Sequence, residues 1–208
     1  MQTEVVSPLV AERQRQTWTA IHHAAATAAL EHGPDAVTVA QIAATAGISP
    51  RTFFNYFESK EDAIVGVRPA RVTEETLQAL RDSEGQPALK RVSLLVLEVA
   101  SSTIGPEVDL AQRRALSAAN PRLRSRLTQV FTDARKLVVA RFVEDVEIPW
   151  LGIAGLPADL HEARALILLA GSVVTLAWTN DPDQLMSHRD DALDAAIATF
   201  RKVTSTAL

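Results

Sequence analysis

Between Ser49 and Phe57 the chain reads Ser-Pro-Arg-Thr-Phe-Phe-Asn-Tyr-Phe, a run in which most side chains have something to offer a base pair or a phosphate. Arginine bonds the O6/N7 edge of guanine with two N–H groups, asparagine suits adenine, an aromatic ring meets a thymine methyl, and hydroxyls reach phosphate oxygens. Such groups act together only from one face of a helix, and the neighbouring residues supply that helix. Ser49 is an N-cap residue, and Pro50 takes the first helical position, where its missing N–H costs nothing. Upstream, Thr38 caps a helix expected over 39–46, which Gly47 ends. Two short helices joined by Ala46-Gly47-Ile48 form a helix-turn-helix pattern, the glycine giving the sharp turn its backbone freedom. Ile42, Ala43, Ile48, Phe53 and Phe57 are expected to face inward. Pro50, Arg51, Thr52, Phe54, Asn55 and Tyr56 then face out.

Other chemistries find little support. The five histidines, His22, His23, His32, His161 and His188, have no metal-ligand spacing, and there is no G-x-S-x-G elbow, phosphate loop or dinucleotide fingerprint. With no cysteine there is no thiolate ligand or nucleophile, and no disulfide framework. The expectation is a protein without metal or cofactor and without enzymatic activity.

The elements that must position the motif follow from composition. The chain has 208 residues, 47% hydrophobic and 22% charged, with a single tyrosine and eight glycines, and its apolar residues recur at three- and four-residue spacing. That is an all-α signature. Breakers divide it into about nine helices, expected near 10–32, 39–46, 50–57, 59–82 unless Pro69 interrupts, 88–103, 108–118, 121–147, 158–179 and 188–203. The domain reading is a disordered arm over 1–9, a helix-turn-helix domain over 10–58 and a larger helical bundle over 59–208. Uninterrupted apolar runs fall far short of the roughly 20 residues a spanning helix needs. Without a secretory signal or cysteine, the expected compartment is the cytoplasm, with no membrane partner.

Ile21, Ala24, Ala25, Gly33, Thr38, Ile42, Ala43, Gly47, Ile48, Ser49, Thr52, Phe53, Asn55, Tyr56, Phe57, Ser59, Lys60 and Glu61 stand in register across Ile21 to Val65. This stretch closely resembles the DNA-binding domain of TetR-type transcriptional regulators. The resemblance implies base contacts from Pro50, Arg51 and Phe54, and phosphate contacts from Thr38, Ser49, Thr52, Asn55, Tyr56 and Lys60. It implies a homodimer on a palindromic double-stranded operator, most often a repressor, released by a small apolar or amphipathic effector. One departure stands out: through residue 60 there are four lysines and arginines against five acidic residues, fewer cations than most DNA readers carry. Few phosphates would then be neutralised and salt dependence would be shallow, unless Arg13 and Arg15 reach the duplex. A helical small-molecule-binding protein without DNA binding is the alternative.

The remaining chain holds strongly apolar stretches such as Leu94–Leu97 and Leu166–Leu169, which suit a bundle core able to enclose a cavity. Phe131, Trp150 and Trp178 are candidates for its aromatic lining and Arg113, Asn120, Thr128 and Thr175 for its polar groups, or else these residues simply fill core. Small residues on the last two helices let axes approach closely, so Ala163, Leu166, Ala170 and Val174 with Ala192, Ala196 and Phe200 form a candidate dimer interface. The same faces are also able to pack within one subunit. The basic run from Arg113 to Lys136 is either a solvated face or a surface for an anionic effector. Its segment Ala111–Arg124 is similar to a pattern in actinobacterial TetR-type regulators related to the mycofactocin regulator, which would imply an acyl-CoA effector.

Overall fold

The structure, a computed structural model, describes residues 8–105, 107–144 and 153–207. Eleven α-helices lie among them: α1 (Pro8–His32), α2 (Val39–Thr45), α3 (Pro50–Phe54), α4 (Lys60–Val65), α5 (Glu74–Asp82), α6 (Ala88–Ser101), α7 (Leu110–Ala119), α8 (Pro121–Val139), α9 (Leu160–Asn180), α10 (Pro182–Ser187) and α11 (Arg189–Ala207). A π-helical turn, Ala140–Glu144, continues α8. The fold is all-α, with one isolated bridge, Val67 to Ile104, among the described residues.

The count exceeds the expected nine for two local reasons. The helix expected over 59–82 is two helices, because Gly66 adopts a left-handed conformation (φ 66°) and its N–H and that of Val67 both turn back to the Asp62 carbonyl. Pro69 follows, and Thr73 caps the restart by accepting the Thr76 N–H. The turn at Asn180–Asp183 also winds into α10, since Asp181 accepts the N–H groups of Asp183 and Gln184 and Pro182 takes the first helical position. At the start, Pro8 and Leu9, expected in the arm, already belong to α1, and the rest of that arm lies outside the described residues.

The chain divides into two compact units. One is Met1–Arg68 with Ile104–Leu127, the other Pro69–Thr103 with Thr128–Leu208. In the first, Trp18, Ile21 and Ala25 of α1 share a core with Ile42, Phe53, Phe57, Ala63 and Ile64. None of the short helices α2, α3 and α4 buries enough alone; α2 and α4 pack on α1, and α3 packs on α2. The second unit packs α6, α9 and α11 together, with Val92, Leu95, Val96, Ile167, Val174 and Leu193 essentially inaccessible.

A buried arginine organises that second unit. Arg91, 1% exposed, donates from Nε to Ser83 Oγ at 3.1 Å, from one terminal nitrogen to the Leu80 carbonyl at 3.1 Å, and from the other to the Ala154 carbonyl. It ties the end of α5 to the segment before α9, where Gly155 (φ 76°) leaves the guanidinium room.

Candidate nucleic-acid interface

The helix-turn-helix is held by side chains capping backbone. Thr38 Oγ1 accepts the Gln41 N–H at 3.3 Å, while Gln41 Oε1 accepts the Thr38 N–H at 2.9 Å, a reciprocal capping box that starts α2. The turn closes through Ala46 N–H to the Ile42 carbonyl and Ile48 N–H to the Ala43 carbonyl, both 2.9 Å, with Gly47 at φ 69° between them. A Cβ at Gly47 would meet open space, so the demand there is purely conformational. Ser49 Oγ then accepts the Thr52 N–H at 3.0 Å and opens α3.

One face of α3 is anchor and the other is free. Phe53 is wholly buried, 5.9 Å from the Phe57 ring, which lies 5.2 Å from Trp18 of α1. The next residue, Phe54, is 59% exposed and meets Phe53 edge-on. An aromatic ring left in water at that level, beside exposed Pro50, Arg51 and Asn55 and half-buried Thr52 and Tyr56, forms a contiguous outward surface. The structure thus brings together Ser49, Pro50, Arg51, Thr52, Phe54, Asn55 and Tyr56, with exposed Thr38 at the start of the preceding helix. Arg51 and Asn55 put hydrogen-bonding groups on that surface and Phe54 an apolar one.

Lys60, expected among the phosphate contacts, also has partners within the chain. Its ammonium donates to the carbonyls of Val37 at 2.8 Å, Pro34 at 3.0 Å and Asp35 at 3.5 Å. It therefore fixes the turn that delivers Thr38 to α2, a positioning task that spacing alone does not disclose. Arg15 is likewise engaged, at 2.7 Å from Glu12 and 3.5 Å from Glu107, though both it and Arg13 are exposed.

Behind the motif lies a buried polar cluster that the sequence reading did not assemble. His22 of α1 places Nδ1 2.8 Å from the Ala63 carbonyl, and its ring is so close to Gly66 that a Cβ there would stand 2.9 Å from Cε1. Burial holds this imidazole below the ordinary histidine value, and the positive charges of Arg113, His23 and Arg68 add to that against the Ala63 carbonyl. Asp62 is 5% exposed and is bonded by Arg126 Nε at 2.5 Å and by Ser59 Oγ at 2.7 Å. Arg68 lies 4.0 Å above the Trp18 ring and pairs with Glu107 at 2.8 Å.

The residues expected to line an effector cavity fall in two groups. Phe131 and Thr175 line a cleft of about 340 Å³ with Thr132, Arg135, Gly171 and Ser172, and Trp178 packs on Phe131 with ring centroids 5.3 Å apart. Thr128 is half-buried on α8 and is not part of that lining. Arg113 and Asn120 belong to the other unit, where Asn120 Oδ1 caps α8 by accepting the Arg122 and Leu123 N–H groups at 2.9 and 3.2 Å. Trp150 lies outside the described residues.

The expected interface residues Ala163, Ala170, Val174, Ala192 and Ala196 are buried inside the single chain, between 0 and 5% exposed. They serve the bundle's own packing and have no surface left to give a partner. Leu166 and Phe200 keep partial exposure. The apolar surface of α9 is a different stripe, with Leu168 44% and Leu169 39% exposed beside Ala165 and Ser172. In an Ala-Leu-Ile-Leu-Leu-Ala run every position is apolar, so periodicity does not tell the inner face from the outer. By length and composition α9, with a mean hydropathy of 1.4, is also long and apolar enough to cross a membrane, which a count of uninterrupted apolar runs missed. It is packed here as a bundle helix against α6 and α11.

A capped helix pair on a buried aromatic anchor, with arginine, asparagine and phenylalanine facing out, defines a helix-turn-helix DNA-binding domain. Residues 21–64 match the family described as bacterial regulatory proteins, tetR family. Over those residues the head is similar to the DNA-binding domain of that family, and the match indicates a DNA-binding transcriptional regulator. The comparison with curated proteins gives no match.

Proposed function

We propose that the chain is a ligand-responsive repressor that binds a palindromic operator as a homodimer and is released by a small apolar or amphipathic effector. The observation that carries this reading is the outward face of α3. Phe53 is sealed in the core while Phe54, Arg51 and Asn55 stand in water, an arrangement that a purely structural helix has no use for. Arg51, Pro50 and Phe54 read bases; Thr38, Ser49, Thr52, Asn55 and Tyr56 meet phosphates, and Lys60 holds the turn that presents them.

Pairing two copies sets the recognition helices about 34–36 Å apart, one turn of duplex, so that both half-sites are met at once. The exposed Leu168–Leu169 stripe supports such pairing through α9, since an apolar helix face of this kind marks an interaction surface. Effector bound in the region 59–208 favours a spacing at which only one half-site is met, and the avidity of the second contact is lost. The region bears the effector site and the dimer contacts, and the protein works in the cytoplasm. The similarity of Ala111–Arg124 to regulators related to the mycofactocin regulator makes acyl-CoA one effector to screen.

Selection from random-sequence duplexes tests the reading. Enrichment of a palindrome with half-sites about one turn apart supports it. No enrichment by folded, dimeric protein overturns it in favour of a helical ligand-binding protein, the reading favoured by the four cations against five acids through residue 60.

A further inference from the structure

Arg113 on α7 is 8% exposed, and its Nη1 is buried without a hydrogen-bond partner. Among the described residues no carboxylate pairs with it. Its charged neighbours are instead cationic: Arg126 repels it, and it in turn opposes protonation of His22. Burial with no opposing charge depresses the guanidinium to about 10. Two carboxylates of this unit, buried Asp62 and largely buried Glu107, are engaged elsewhere, Asp62 by Arg126 and Ser59 and Glu107 by Arg68 and Arg15.

The contrast with Arg91 isolates what is unusual. Arg91 is more deeply buried, yet each of its three nitrogens donates to a carbonyl or hydroxyl, so its desolvation is offset. A buried guanidinium with an open donor is costly unless something absent from the chain completes it. Arg113 offers an unused N–H, and two ionisable neighbours bear on it: Arg126, itself paired with Asp62, and His22, whose Nδ1 is committed to the Ala63 carbonyl and whose Nε2 is a site able to take a proton.

We propose that Arg113, flanked by Arg126 and His22, is an anion-recognition site, taking a carboxylate or phosphate group of the small molecule to which the regulator responds. It rests on the ligand-responsive reading above and gives that ligand a charge. All three residues lie in the unit that contains the helix-turn-helix, and His22 and Ala63 belong to α1 and α4, which hold it. The bound anion therefore bears directly on the frame of the DNA-reading helix.

The test uses the full-length protein with three probes: decanoate, decanol as its uncharged counterpart, and inorganic phosphate. Decanoate or phosphate at about 100 times its dissociation constant is expected to raise Tm by roughly 5 °C or more, and decanol to give no comparable rise. Arg113→Met abolishes the rise, Arg113→Lys keeps part of it, and exposed Arg201→Met leaves it intact. Without probe, Arg113→Met is at least as thermostable as the wild type. A lower Tm for that variant without probe would make Arg113 a structural residue and overturn the proposal, as would equal rises with decanol and decanoate, or no rise with either anion. Operator release is measured separately. If an uncharged effector releases DNA while no anion binds, the anion site falls and ligand-responsive repression stands. If anions bind through Arg113 without altering operator affinity, the site stands and its link to repression falls.

Discussion

Arg91 in the α6–α9–α11 bundle and Lys60 in the helix-turn-helix unit do the same kind of work, each closing a loop by donating to backbone carbonyls. Their settings differ. Arg91 does so in the interior, at 1% exposure, with Ser83 as a further partner; Lys60 does so at the half-exposed rim of a unit built from helices of five to seven residues around α1. The bundle draws its order from long helices packed over much of their surface. The head draws its order from caps, a turn glycine and one aromatic anchor, so that a whole face of α3 is left free. Stability in the first region comes from depth, and in the second from many small local agreements.

The sharpest break of that comparison is Arg91→Met. Removing the guanidinium leaves the Leu80 and Ala154 carbonyls and the Ser83 hydroxyl without their donor, and the expected loss is about 3–5 kcal/mol by chemical denaturation. A loss below about 1 kcal/mol would mean that depth is not what holds the bundle's loop. In the head the corresponding effect is on reading. Arg51→Ala is expected to cost about 1–3 kcal/mol of discrimination at particular bases of a selected operator, with folding unchanged, because its side chain is in water. Equal losses at every operator position would make Arg51 a phosphate contact instead.

How much of this was legible in the sequence follows the same division. In the head, Thr38, Ser49 and Gly47 have local physical roles, and local roles are what residue type and spacing encode. Phe53 and Phe54 were separable for a related reason: on a short helix only one of two adjacent aromatics can reach the core. In the bundle, Ala163, Ala170, Val174, Ala192 and Ala196 read as close-packing residues with the partner open between a second copy and the same chain, since small size says that something comes near and not which chain supplies it; they are buried within the chain. The interruption at Gly66 was overlooked because a lone glycine resembles any helix glycine until its φ is known. The cluster of His22, Asp62, Arg113 and Arg126 was invisible because its members are up to about a hundred residues apart and meet only in the fold.

Lys60→Met sharpens the head's side of the comparison. If the ammonium only braces the turn over 34–37, the variant loses about 1 kcal/mol of stability and binds every operator more weakly, while the slope of log K against log salt stays the same. If Lys60 also neutralises a phosphate, that slope falls by about one. The measurement separates positioning from contact, which an affinity alone does not.

The smallest effect is expected at His22, on the buried side of the head. Burial first, then the charges of Arg113, His23 and Arg68, hold its imidazole below the ordinary value, against the Ala63 carbonyl. The folded state therefore binds fewer protons than the unfolded chain as pH drops below about 6.5. Its contribution is whole above that pH and is lost as pH falls toward the depressed folded value. The nearby carboxylates Asp62 and Glu107 are bonded by Arg126 and Arg68, and His23 is a further ionisable neighbour. Stability curves of the wild type and His22→Asn, measured between about pH 7.5 and 5.5, should converge as acid removes from the wild type what the substitution has already removed. Parallel curves would mean that the imidazole is not buried neutral where α1 and α4 meet.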